Sequence, residues 1–132
     1  MFGDYVIQTH HMAVTKTTQW WPAILHGITY TLPFLLITQS IPALLIICVT
    51  HIFIDHYRWA RHIVWAKNHL APRKYWPAKE DLYTTGSPAS TPVWMSTWVM
   101  IFADNALHLA INALALIFLG SVLPLPISFP WS

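Results

Sequence analysis

From Thr17 to Ile54 the chain reads TTQWWPAILHGITYTLPFLLITQSIPALLIICVTHIFI, without one Asp, Glu, Lys or Arg. A membrane-crossing helix takes about 20 apolar residues, so this stretch holds more than one crossing. The cluster Gln39-Ser40-Ile41-Pro42 interrupts it with turn-forming residues. It therefore predicts two spans, about 22–38 and about 42–66. Pro22 and Pro42 stand in the first turn of each, where a missing N–H costs nothing. Pro33 inside the first span predicts a kink.

Working outward, a third apolar stretch at about 92–120 is long enough to cross roughly 30 Å of hydrocarbon. Between the second and third spans lies a charged, Pro- and Gly-containing segment, about 67–91, with Ala71-Pro72-Arg73-Lys74 and Thr85-Gly86-Ser87-Pro88. It reads as a solvent-side loop. The Pro-rich end, Leu123 to Ser132, is expected to leave the helix. Residues 1–13 offer Phe2, Tyr5, Val6 and Met12 as an apolar face but are too short to span. They lack the charged start and small-residue cleavage site of a signal peptide, and are expected to form a short interfacial or packed helix. The expected fold is all-α: a single membrane domain over 1–132 with three transmembrane helices and a short N-terminal helix.

Composition agrees. Of 132 residues 55% are hydrophobic and 9% charged, and mean hydropathy is +0.46. Soluble domains carry roughly 25% charged residues, so a soluble single-core protein lacks the polar surface it would need here. Disorder is excluded for the same reason. The net charge of +2 and the clustering of the basic residues give no reason to expect nucleic acid. The single Cys48 excludes an internal disulfide and, within an apolar run, reads as an inert buried thiol.

Six of the seven cations, Arg58, Arg61, Lys67, Arg73, Lys74 and Lys79, fall at the end of the second span and in the loop after it; Lys16 precedes the first span. The positive-inside rule places them in the cytoplasm of a cell with an inner membrane, and the Gln39–Pro42 turn and C-terminus outside. Trp20, Trp21, Trp59, Trp65, Trp76 and Trp94 flank the same predicted interface, as an aromatic belt does. The basic cluster also offers contact to anionic lipid.

The informative residues are ionisable groups within apolar helices: His26 in the first span, His51 and Asp55 in the second, Asp104 and His108 in the third. A spacing of four puts each His/Asp pair on one helix face. Intramembrane ionisable groups are costly and mark functional sites by default. Counted from the outer ends at about 1.5 Å per residue, His26 lies about 18 Å deep, His51 about 14 Å, Asp55 about 20 Å, His108 about 18 Å and Asp104 about 24 Å. The order His–Asp on one span and Asp–His on the next is what antiparallel helices need to bring like to like. Three readings follow: a metal site with a position open to water, a proton or ion relay, and a structural His–Asp network with an Asp55–Arg58 contact. His10, His11, His56, His62 and His69 lie near predicted interfaces or in the loop and are expected to be solvated or to face headgroups.

The ordered set Gly3-Asp4-Tyr5-Val6-Ile7-Gln8-Thr9, His26-Gly27-Ile28-Thr29-Tyr30, Thr50-His51-Ile52-Phe53-Ile54-Asp55-His56-Tyr57-Arg58 and Asp104-Asn105-Ala106-Leu107-His108 resembles a family of small bacterial and phage membrane proteins of unknown function. More distantly it is similar to the membrane-bound metal-dependent hydrolases. The resemblance implies that Asp4, and with it Gln8, joins the candidate layer. The family pattern carries more apolar helix before Gly-Asp, whereas here Met1 lies three residues ahead of Asp4. The expectation is a start further upstream or a shortened form.

Two functions of different class follow as expectations. The first is a metal-binding membrane protein, with Asp4, His26, His51, Asp55, Asp104 and His108 as ligands or their orienters around a divalent ion, zinc foremost. One such protein is a metal-dependent hydrolase of a lipid-like or membrane-proximal substrate. The second is a non-catalytic bacterial or phage membrane protein that assembles with itself or a host membrane protein, its polar layer being structural. Whether the chain is an enzyme stays open at this point.

Overall fold

The computed structural model describes residues 9–122. These residues form helices and turns with no strand: α1 (His10–Thr15), α2 (Trp20–Thr31), a 3₁₀ turn (Leu32–Leu36), α3 (Ile41–Tyr57), α4 (Trp59–Asn68), two short 3₁₀ turns (Arg73–Tyr75 and Glu80–Tyr83) and α5 (Val93–Leu119). The all-helical expectation holds. Of the expected N-terminal helix only α1 falls among the described residues. Phe2, Asp4, Tyr5, Val6 and Gln8, and the segment from Leu123 to Ser132, lie outside them.

Two expected span boundaries are corrected. The first span is not a kinked α-helix to residue 38, because α2 stops at Thr31 and a 3₁₀ turn carries the chain over Pro33. Proline has no N–H for an i−4 bond and its ring collides with that carbonyl, so the chain switches to i−3 bonding for a short stretch. The second span is not continuous over 42–66. It breaks at Arg58, which adopts the left-handed conformation (φ 53°, ψ 50°) between α3 and α4. No Gly or Pro stands between Pro42 and Pro72 to announce this. The third expectation, 92–120, matches α5 closely.

Among the described residues, α5 alone is a single helix long and apolar enough to cross a membrane. Helices α3 and α4 reach that standard only when taken together as one interrupted span. Much of the exterior is apolar: Leu36, Leu109, Ile117 and Phe118 are each about two-thirds exposed or more.

The chain divides into two units. The first, residues 1–56 and 109–132, comprises α1, α2, α3 and the C-terminal part of α5. Tyr30, Ile47 and Ala115 form its buried core, with Phe34 and Leu116 packed against it. Helices α2 and α3 meet at Gly27, where a Cβ would run into the Ile52 side chain and come within 3.3 Å of the Cys48 carbonyl. Cys48 itself is only half-buried. The turn between α2 and α3 is held by side chains. Ser40 Oγ accepts from the Ala43 N–H at 3.3 Å, capping α3. Its hydroxyl also reaches the carbonyls of Leu119 and Val122, and Thr38 donates to the Gly120 carbonyl at 2.8 Å. The last carbonyls of a helix have no partner within it, and this turn supplies them for α5.

The second unit, Tyr57–His108, contains α4, the 67–91 segment and the first part of α5. The segment expected as a solvent-side loop folds back on α4. Asn68 donates to the Gly86 carbonyl (3.1 Å) and Trp65 Nε1 to the Ala78 carbonyl (3.1 Å). Gly86 has φ +75° and lies against the Arg61 carbonyl, a place only glycine fills. His69, expected to be solvated, instead lies beside the rings of Trp65 (4.1 Å) and Trp76 (4.9 Å).

Candidate metal centre

The close approach at Gly27 sets the site. One residue before it, His26 on α2 turns toward α3, where His51 and Asp55 stand four residues apart on one face. His26 Nε2 and His51 Nε2 are 3.0 Å apart. Asp55 Oδ2 lies 3.2 Å from the first and 3.3 Å from the second. Three ligand atoms thus form a near-equilateral triangle, and all three residues are buried (0, 1 and 5% exposed). Around a tetrahedral zinc with ligand distances of about 2.0–2.2 Å, neighbouring donors lie roughly 3.3–3.5 Å apart. The triangle needs only a slight expansion to become one face of such a tetrahedron. These buried groups can hold a metal ion.

The rings are braced from behind. Tyr30 lies flat against His51, with centroids 3.7 Å apart and planes 14° from parallel. The Tyr30 hydroxyl accepts from Asn112 Nδ2 at 2.7 Å, a buried bond that ties the brace to α5. A cation stands at the carboxylate. Lys16, on the turn after α1, places Nζ 2.6 Å from Asp55 Oδ2. The basic partner of Asp55 is therefore Lys16, not the Arg58 considered from sequence; Arg58 Nη2 instead meets Met100 sulfur at 3.8 Å. Lys16 is held by its backbone as well. His56 Nδ1 donates to the Lys16 carbonyl at 2.9 Å, and the His56 ring stacks on Trp20 at 3.9 Å.

Three of the six expected site residues, His26, His51 and Asp55, are brought together. Asp104 and His108 lie one turn apart on α5 in the second unit: His108 Nδ1 donates to the Asp104 carbonyl at 2.9 Å and stands 3.7 Å from its carboxylate. Asp4 lies outside the described residues.

Sequence reasoning missed Lys16, His56, Tyr30 and Asn112. Asn112 carries a signal that was available: it follows His108 by four residues, as His108 follows Asp104, so one face of α5 repeats polar groups at helical spacing. From sequence Lys16 reads only as a topology charge.

Comparison with protein families, with curated proteins and with solved structures finds no match to this chain.

Proposed function

We propose that this chain is a membrane-embedded metal-binding protein in which His26, His51 and Asp55 hold one divalent transition-metal ion, zinc foremost. The observation that carries the reading is the triangle of ligand atoms, 3.0 to 3.3 Å on a side, built from two helices and buried. Two histidines and a carboxylate with a fourth position left for water are the donor set of catalytic rather than structural zinc sites. An ion so held makes hydroxide available near neutral pH, the chemistry of a hydrolase. The apolar exterior favours a lipid-like or membrane-proximal substrate.

The membrane reading extends to three crossings of a bacterial inner membrane, with the 67–91 segment cytoplasmic and the end of α5 outside. Helix α2 and its 3₁₀ continuation span at most about 28 Å and α3 about 26 Å, near the roughly 30 Å of hydrocarbon, while α5 reaches about 40 Å.

One observation favours a second reading. The Lys16 ammonium on Asp55 supplies a cation from the protein itself, so the same residues form a polar network that locks helices together in a non-catalytic protein, one that assembles with itself or with a host membrane protein. Elemental analysis of untagged protein prepared without added metal separates the two. The metal site yields about one ion per chain, lost in the His26→Ala/His51→Ala double variant. Substoichiometric metal that the double variant leaves unchanged establishes the network.

A further inference from the structure

We infer that Lys16 is a built-in competitor of the metal ion: its ammonium holds the Asp55 oxygen that the ion needs, and loading requires it to leave. This rests on the metal-binding reading and adds to it the residue that sets affinity. The geometry sets the two cations against each other. Lys16 Nζ is 2.6 Å from Oδ2, the same oxygen that completes the triangle with His26 and His51. An ion about 2.1 Å from that oxygen lies at most about 4.7 Å from the ammonium, and nearer for any bent arrangement. Like charges at that separation repel strongly where little water intervenes, and the Asp55 side chain is 3% exposed.

Charge counting gives the same direction. The ammonium takes up the negative charge that the Asp55 carboxylate would otherwise offer the ion, so a divalent ion added beside it meets like charge in a buried place. With the ammonium gone, the Asp55 carboxylate is left for the ion. The Lys16 side chain is 17% exposed, which leaves its head a route outward, while its carbonyl stays anchored by His56 and the His56–Trp20 stack. The lysine can therefore withdraw its charge without the chain around it undocking.

The test is zinc affinity of the untagged full-length chain in detergent micelles, measured by competition with a chromogenic chelator, for wild type, Lys16→Met, Lys16→Gln and Lys16→Arg. The competitor role predicts zinc binding at least about tenfold tighter in the Met and Gln variants, and within about threefold of wild type in the Arg variant. Lys16→Gln keeps a hydrogen-bond donor beside Asp55, so it serves where Lys16→Met does not fold. Unchanged or weaker binding in the neutral variants, with wild type binding zinc, overturns the competitor role and leaves the metal site standing. Absence of zinc binding in wild type and in every variant overturns both.

Discussion

Tyr30 and His51 lie ring on ring, 3.7 Å apart and 14° from parallel, and the Tyr30 hydroxyl is fixed by Asn112 at 2.7 Å. The stack packs one face of His51 while its Nε2 stands 3.0 Å from His26 Nε2. A ligand held in one rotamer by packing loses little freedom when an ion arrives, and such supporting contacts commonly change metal affinity 10- to 100-fold when removed.

Tyr30→Phe keeps the stack and strands the buried Asn112 amide. It should cost about 1–3 kcal/mol of stability and leave zinc affinity near wild type. Tyr30→Leu removes the flat face as well and should weaken zinc binding about tenfold or more. Thermal unfolding in detergent and chelator competition measure the two effects separately.

Gly27→Ala tests the helix approach. Its new methyl meets Ile52 and the Cys48 backbone, so α2 and α3 must part. The expected cost is about 1–3 kcal/mol, the usual range for overpacking, with the His26–His51 distance lengthened beyond 3.0 Å and zinc binding weakened. Unaltered stability and unaltered zinc affinity together would show that the site does not depend on this contact.

Histidine substitutions should be unequal. His26→Ala and His51→Ala each remove a vertex of the triangle and should abolish stoichiometric metal, because two remaining protein ligands fall short of the three or four of a stable zinc site. His62 is exposed on α4, and His62→Ala should bind metal like wild type. Elemental analysis of the purified variants reads this directly; equal metal content in all of them removes the special standing of the triangle.

Topology is open to cysteine labelling in a Cys48→Ala background. Ser90→Cys should be modified only from the cytoplasmic side and Ser121→Cys only from outside, as the clustering of cations in and before the 67–91 segment requires. Labelling of Ser90→Cys from the outer side reverses the orientation.

Gly86→Ala should destabilise the second unit. Gly86 combines φ +75° with backbone contact to Arg61 and Trp65, so a side chain meets both conformational strain and collision. An expected loss of about 1–3 kcal/mol should appear as faster amide exchange at Asn68 and Trp65, whose side-chain bonds close the segment onto α4.

Much of the helix pattern is legible in the chain. The charge-free run, its Gln39–Pro42 interruption and the final apolar stretch locate α2, α3 and α5, since hydropathy and turn residues act locally. The break at Arg58 is not legible, because no proline or glycine marks it and the left-handed residue is one whose side chain disfavours that conformation. Likewise Pro33 announced a disturbance, but not that the helix would tighten into 3₁₀ form.

The site divides along the same line. Spacing alone determined that His51 and Asp55 share a face, as do Asp104 and His108, because residues four apart on a helix must. The burden of a polar group in an apolar helix singled out His26. Which of these meet was decided only by tertiary structure, through the glycine that lets α2 press against α3. So was the choice of Lys16 as the cation on Asp55: the two are 39 positions apart, and no local rule links residues whose meeting depends on how separate helices pack.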